Sequence, residues 1–194
     1  MKLEEAIGKI GPLDQAAMEI AQKRWDSIAK PLHSLGKLET LLIQIAGITG
    51  SAEIDLSKRG LVAMCADNGV VEEGVTQTGQ EVTAIVAENF LRYDTSVGVM
   101  CRQNHAEIFP VDMGMVTDTK VRTDHKVAYG TKNMTKGPAM TREQAVKGIE
   151  AGIAMVEELK EKGYRILATG EMGIGNTTTS SAVASVLLKQ SVES

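Results

Sequence analysis

The sequence is poor in aromatic residues and in cysteine. Aromatic residues make up 3% of the 194 positions, and there are two cysteines and four prolines. A small disulfide-stabilised fold would need many more cysteines in a shorter chain, so Cys65 and Cys101 are expected to be buried and reduced. A chain of this length can bury roughly 70% of its unfolded surface, so its hydrophobic core needs no disulfide or metal to hold it together.

Long apolar runs and an excess of basic charge are also lacking. No apolar stretch reaches the roughly 18 residues that span a bilayer, and the N-terminal sequence has no signal-peptide core, so a cytoplasmic protein without a membrane partner is expected. The formal net charge is −4, and without a basic stripe a nucleic-acid partner is disfavoured. The three histidines have no metal-ligand spacing with each other or with the cysteines, so no metal site is predicted. No cofactor is predicted either.

Two amphipathic helices are predicted before the first strand. Asp14 is a candidate N-cap for the first, whose inward positions would be Ala17, Ile20, Ala21, Trp25 and Ile28. Ser34 is the corresponding candidate for the second, with inward positions Leu35, Leu38, Leu42 and Ile45. Because no strand signal precedes them, residues 1–50 are predicted to form a small helical domain.

Strands and helices alternate in residues 51–194. The apolar runs LVAMCA from Leu61, AEIFPVD from Ala106 and Tyr164 to Thr169 predict three strands. Helices are predicted near residues 80–91 and 95–103, and Thr141 to Gln144 is a capping box that opens a longer one. The apolar face expected for that helix consists of Val146, Ile149, Ile153 and Val156. This alternation predicts an α/β fold with a mainly parallel sheet and helices on both faces.

Ligands of such sheets bind beyond the carboxyl ends of the strands. Asp67, Asp112 and the loop from Gly170 all lie there in the sequence. The two aspartates are interpreted first as turn or cap residues, because strand ends recruit aspartate for backbone hydrogen bonds. They also remain candidates for lining the cleft.

The segment ILATGEMGIGNTTTSSAVASVLL, residues 166–188, places glycines between a strand and a helix. Backbone N–H groups and the positive end of a helix dipole converge there, so a phosphate is the expected ligand. Asn176 stands where a P-loop needs lysine, which disfavours a nucleoside triphosphatase. The glycine spacing also differs from the dinucleotide fingerprint. The structural alternative is a tight turn at Gly170 and Gly173, with Thr177 or Thr178 as the helix cap.

Glu171 is unexpected in a phosphate-binding loop, because a carboxylate repels an anion. One explanation is chemistry at the sugar end of a phosphorylated ligand. A carboxylate there can face developing positive charge or accept a proton.

Four ordered motifs carry a family resemblance: SLGKLE at residues 34–39, MCADNGVVEEGV at 64–75, GQEVTAIVAENF at 79–90 and GEMGIGNTTTSSAVASVLL at 170–188. They closely resemble the nicotinate-nucleotide:dimethylbenzimidazole phosphoribosyltransferase family, over nearly the whole chain from about Asp14. The resemblance implies a parallel sheet of Rossmann-like topology, a small helical domain and a homodimer. It also implies transfer of the ribose phosphate of nicotinate mononucleotide to a benzimidazole nitrogen, giving α-ribazole 5′-phosphate and nicotinate.

The resemblance also implies roles for individual residues. Glu171 matches the glutamate of the family's glycine loop and is the candidate catalytic residue. The nucleotide and phosphate side is matched by Gly170, Gly173, Gly175, Asn176, Thr177 and Thr178. The acceptor pocket is matched by Met64, Asp67, Thr78, Gln80 and Val86. Family members often carry a glutamine near Ile85 or Val86, and its absence here leaves another benzimidazole, a purine or a phenol open as the acceptor.

Family members are nearly twice as long, and the glutamate usually assigned as catalytic base belongs to the half that follows this sequence. The resemblance therefore implies a fragment with an exposed sheet edge, exposed apolar helix faces and a tendency to aggregate. The alternative function is a non-catalytic chain that only binds nucleotide or phosphate, or only dimerises.

Overall fold

Helices make up the N-terminal part of the computed structural model, which describes residues 1–191. They are α1 (Leu3–Gly8), α2 (Gln15–Asp26) and α3 (Lys37–Thr49). The chain divides into two units, one formed by Glu4–Ser57 and the other by Met1–Leu3 with the chain from Lys58 onward. Within the described residues, no helix is both long and apolar enough to cross a membrane.

The caps of α2 and α3 differ from each other. Asp14 caps α2 as predicted, and its Oδ1 accepts a hydrogen bond from the Ala17 N–H at 3.0 Å. The prediction that Ser34 caps α3 is wrong, since the helix begins after Gly36, whose φ is +54°. The buried Glu39 carboxylate organises this turn instead, because it accepts from the Leu35 N–H at 3.0 Å and pairs with the Lys30 ammonium at 2.8 Å.

Small residues form the contact between α2 and α3. Ala17, Ala21 and Ala46 are buried together. Several large apolar side chains that were expected to face inward are about half exposed, namely Ile20, Ile28, Leu35 and Leu38. The expectation was wrong for these four because two helices cover only one narrow stripe of each other, and the alanines occupy that stripe.

Within the described residues, three strands form one parallel sheet: β1 (Arg59–Ala66), β2 (Ala106–Gly114) and β3 (Ile166–Met172). Their order is β2-β1-β3, and in the register Arg59 lies opposite both Ala106 and Ile166. The predicted parallel sheet is confirmed. The third strand extends further than predicted, so that Gly170 and Glu171 belong to the strand and not to the loop after it.

Helices cover both faces of the sheet, as predicted. They are α4 (Glu81–Arg92) and α5 (Ser96–Gln103) on one face and α6 (Arg142–Glu161) on the other. The remaining helix, α7 (Asn176–Leu188), follows β3 and has no buried residue, and a short 3₁₀ helix spans Gly69–Glu73. On one face, Ala63 and Cys65 of β1 pack with residues of α4 and α5, including Phe90 and Cys101. On the other, Val62 and Val111 pack with Met155 and Leu159 of α6.

The start of α6 agrees with the sequence, but its buried face does not. Thr141 and Gln144 form the predicted capping box. Ile149 and Val156, expected to face inward, are each 51% exposed, whereas Met155 and Leu159 are buried. The helix carries apolar residues around most of its circumference, so periodicity alone could not identify the face that meets the sheet.

The outer edge of β3 and the end of α7 are exposed, as the resemblance implied for the sheet edge and the helix faces. Within the described residues, β3 pairs with β1 alone, so its outer edge is unpaired. The end of α7 exposes Val183, Val186, Leu187 and Leu188. Aggregation through this surface stays a prediction.

We expect Met155→Ala to lower the free energy of unfolding by about 2–5 kcal/mol, because it leaves a cavity in the core between α6 and the sheet. The neighbouring Val156→Ala is the matched control and should change stability by about 0.5 kcal/mol or less. Urea unfolding followed by circular dichroism measures both. Equal losses of stability in the two variants would contradict the assignment of Met155 to the buried face of α6.

The two buried thiols should be chemically inert. Burial, together with a smaller effect of nearby carboxylates, raises the pKa of Cys65 to about 12, and burial also raises the pKa of Cys101. Because the thiolate is the reactive form, Ellman's reagent should modify neither cysteine rapidly at pH 8 in the folded chain, and both after unfolding in urea. Rapid modification of the native chain would contradict this packing.

Candidate functional site

The carboxyl ends of β1 and β3 lie side by side. In the order β2-β1-β3, β2 is added on one side of β1, and the chain then crosses back to add β3 on the other side. Such a reversal of strand order opens a crevice between the loops that follow the two strands. Here those loops are residues 67–69 after β1 and residues 173–175 after β3.

Gly173 and Gly175 let the second loop cross directly over the end of β1. A Cβ on Gly173 would lie 2.1 Å from the carbonyl oxygen of Ala66, which no side chain permits. Gly175 has φ +87° and is the N-cap of α7, and a Cβ there would meet the Val71 side chain at 2.9 Å. Gly170 is different, since its nearest neighbour would be an ordinary contact at 3.7 Å.

Ile174, between these glycines, is held at both of its backbone polar groups. Its N–H donates to the Thr83 hydroxyl at 3.0 Å, and its carbonyl accepts from the Asn68 side-chain amide at 3.2 Å. The other end of that amide, Oδ1, accepts from the Thr179 hydroxyl at 2.9 Å. Gln80 donates to the Asn68 carbonyl at 3.2 Å.

Sequence reasoning missed the contacts of Asn68 and Thr83. Asn68-Gly69 was interpreted as a turn, and Thr83 was part of a motif without a role of its own. The available signal was the presence of polar residues at positions that a buried helix face and a strand end would otherwise fill with apolar ones.

Free backbone donors lie at the start of α7. Within residues 1–191, the N–H groups of Gly175, Thr177 and Thr178 have no protein acceptor, whereas Asn176 N–H donates to the Gly173 carbonyl at 3.0 Å. Neither threonine caps the helix, so the alternative that Thr177 or Thr178 is the cap is wrong. Three unpaired donors at the positive end of a helix form an arrangement suited to an anion.

Glu171 stands beside these donors, on the last part of a strand. It lies in β3, opposite Met64 of β1 in the register, and its carboxylate accepts a hydrogen bond from the Asn176 side-chain amide. The carboxylate is exposed to solvent. The structure therefore brings together Glu171, Asn176 and the first turn of α7.

The residues matched to an acceptor pocket are more dispersed. Gln80 and the buried Asp67 flank Asn68, and Thr78 is exposed nearby in sequence. Met64 packs on the α6 face of the sheet, whereas Val86 packs on the α4 face. The structure thus places Met64 and Val86 on opposite faces of the sheet.

The side chains of Asp67 and Asp112 accept hydrogen bonds from backbone N–H groups, as their interpretation as turn residues predicted. Asp67 Oδ2 accepts from the Val116 N–H at 2.8 Å, and Asp112 Oδ1 accepts from the N–H groups of Gly114 and Met115. Asp112 also pairs with Lys126 at 3.0 Å. Burial opposes the charge of Lys126, but the Asp112 carboxylate outweighs it and raises the pKa of the lysine.

A largely apolar cavity of about 420 Å³ lies at the carboxyl ends of β1 and β2, where Ala66 and Gly114 line it, beside the first turns of α6. None of its lining residues belongs to the glycine loop. In the described part of the chain, no group of three or more histidine, cysteine, aspartate or glutamate side chains is placed to hold a metal ion.

Comparisons with known proteins agree on one family. A family model described as phosphoribosyltransferase matches residues 10–194. The nicotinate-nucleotide–dimethylbenzimidazole phosphoribosyltransferase of Clostridium tetani is 49% identical over 187 residues, which are 95% of this chain and 52% of that protein. The protein of the same name from Ruminiclostridium cellulolyticum is 52% identical over 97% of this chain and 54% of its own length.

A crystal structure of the enzyme of that name from Thermus thermophilus superimposes with a TM-score of 0.84 at 34% identity, over 92% of this chain and 55% of that one. The chain thus spans about half the length of the relatives it matches. A family match over nearly the whole chain, together with this shared fold, shows that the chain belongs to the phosphoribosyltransferase family.

Proposed function

We propose that the chain carries the donor half of an active site that transfers ribose phosphate from nicotinate mononucleotide to 5,6-dimethylbenzimidazole or a related base. The products would be α-ribazole 5′-phosphate and nicotinate. The names of relatives near 50% identity support this reaction. The observation that carries the proposal is the set of three unpaired N–H groups at the start of α7, next to the carboxylate of Glu171.

The phosphate would bind at Gly173, Gly175, Thr177 and Thr178, where backbone N–H groups and the helix dipole favour an anion. Gly170, which lies in β3, and Asn176 also belong to the proposed nucleotide side, as the resemblance implies. Binding energy at the phosphate is remote from the reacting carbon, so it can hold C1′ in position for attack.

In the reaction, a benzimidazole nitrogen forms a bond to C1′ while the bond from C1′ to the nicotinate nitrogen breaks. The bonding electrons return to the pyridine ring, which loses its positive charge and needs no strong acid to leave. A base must accept the benzimidazole N–H proton. Glu171 is the carboxylate proposed to face the positive charge at C1′ or to take that proton, held in orientation by Asn176.

The resemblance assigns the acceptor to Met64, Asp67, Thr78, Gln80 and Val86. Because Met64 and Val86 pack on opposite faces of the sheet, they cannot both line one pocket, and the proposed acceptor site is the part near Asp67, Thr78 and Gln80. Asp67 and Gln80 are the members of this set that lie closest to the glycine loop, through Asn68. The homodimer and the assignment of residues 1–50 to a small helical domain also belong to this proposal, and light scattering of the purified chain tests the dimer.

A second candidate is a chain that binds the nucleotide without turnover. The length of the relatives favours it, because about half of each lies outside the matched region. Incubation with nicotinate mononucleotide and dimethylbenzimidazole separates the two. Release of free nicotinate supports the transferase, and binding without release supports the second candidate.

We expect Gly173→Ala to weaken binding of nicotinate mononucleotide at least about tenfold, because the new Cβ would displace the loop from the Ala66 carbonyl. Gly152→Ala in α6, where a Cβ meets nothing within 4 Å, is the matched control and should bind normally. Isothermal titration calorimetry measures both affinities. Normal binding by Gly173→Ala would remove the loop from the proposed site.

In a full-length relative, we expect the substitution equivalent to Glu171→Gln to lower the rate of nicotinate release on the order of 10²-fold while nucleotide affinity changes less than about twofold. The amide keeps the shape of the side chain but loses its charge and its capacity to accept a proton. Chromatography of released nicotinate gives kcat, and calorimetry gives the affinity. An unchanged rate would exclude Glu171 from the mechanism.

A further inference from the structure

The peptide units around Ile174 are fixed by side chains from two other segments. Thr83 belongs to α4 and is completely buried, and Asn68 follows β1 and is 9% exposed. One binds the N–H of Ile174 and the other binds its carbonyl. The loop therefore does not depend on its own turn geometry alone for its shape.

Asn68 also packs beneath both glycines of the loop. Its Nδ2 would lie 3.0 Å from a Cβ on Gly173, and its Cβ would lie 3.3 Å from a Cβ on Gly175. Its Oδ1 accepts a hydrogen bond from the hydroxyl of Thr179, one turn into α7. The Asn68 side chain thus contacts the loop at the two glycines and at Ile174, and also contacts Thr179 in α7.

This arrangement determines which N–H groups remain available. The Ile174 N–H is directed inward to Thr83, and the N–H groups of Gly175, Thr177 and Thr178 are left without a protein acceptor in the described part of the chain. If the Thr83 hydroxyl were absent, the partly buried Ile174 N–H would lack its acceptor. The peptide would then gain by rotating toward solvent, which would change the direction of the Gly175 N–H next to it.

We propose that Thr83 and Asn68 are positioning residues for the donor phosphate, acting through Ile174 to preorganise the N–H groups of the glycine loop. This inference rests on the proposed function, since it specifies how the same site is held in its binding geometry. Neither residue touches the reacting atoms. Preorganised donors bind more tightly because the cost of ordering them is met before the ligand arrives.

The inference connects two parts of the reaction. Thr83 lies between Gln80 and Val86 on the segment to which the resemblance assigns the acceptor. The hydrogen bond from Ile174 to Thr83 therefore ties the acceptor segment to the donor loop by a direct contact of 3.0 Å.

The test compares three variants of the full 194-residue chain by calorimetry with nicotinate mononucleotide and, as a second probe, inorganic phosphate. Thr83→Val keeps the side-chain shape and removes the hydroxyl, and Thr83→Ser restores the hydroxyl. Thr95→Val is the matched control, since Thr95 accepts a backbone N–H, that of Gly98, at the same 3.0 Å but at the cap of α5. Melting temperatures are measured in parallel.

We expect Thr83→Val to weaken nicotinate mononucleotide binding about tenfold, with affinity within about twofold of the unsubstituted chain in Thr83→Ser and Thr95→Val. Both valine variants should lower the melting temperature. A lower melting temperature with unchanged affinity in Thr83→Val would overturn the positioning role and leave Thr83 as a purely structural residue.

Asn68→Ala provides the same test from the other side of the loop, in case Thr83→Val does not fold, and unchanged affinity there would also count against the inference. The proposed function fails separately. If the unsubstituted chain binds no nicotinate mononucleotide, or binds it without shifting the amide NMR signals of Gly175, Thr177 and Thr178, the phosphate site itself is wrong and the inference falls with it.

Discussion

Close contact between the backbone at Gly173 and the carbonyl oxygen of Ala66 constrains the whole candidate site. Because β1 and β3 are neighbours in a parallel sheet, the loops that follow them lie very close to each other. Only a glycine fits at position 173, since a Cβ there would lie 2.1 Å from the Ala66 carbonyl oxygen. The first turn of α7 is thereby held over the end of β1, within reach of Asn68.

The candidate site combines backbone N–H donors from the start of a helix with a carboxylate side chain from a strand. The anion donors belong to the turn that starts α7, whereas Glu171 belongs to β3 and is fixed by the register of the sheet. The hydrogen bond between Asn176 and Glu171 joins the two. In the proposed site, the separation between a bound phosphate and the carboxylate is therefore set by a strand of the sheet and the helix that follows it.

Much of the fold could be predicted from the sequence, because strand positions and most helix starts have local signals. The apolar runs at Leu61 and Ala106, the Asp14 cap and the capping box at Thr141 were all correct. The predictions that were wrong concern features that depend on contacts with residues elsewhere in the chain. Glu39 replaced Ser34 in organising the start of α3, and packing against the sheet selected Met155 over Val156. In the site, the glycine pattern indicated the loop, but the support by Thr83 and Asn68 could not be read, because it joins residues about a hundred positions apart.

The strand order also has a consequence for how the chain acquires its structure during synthesis. The central strand β1 is made first, yet Arg59 meets its partner Ala106 only after two helices, and Ile166 only after α6 has formed. Until then its apolar residues have no sheet to join. Such long-range pairing slows folding, so the central strand stays unpaired while the rest of the chain is synthesised. Dependence on chaperones is the expected cellular consequence, because unpaired apolar strands aggregate.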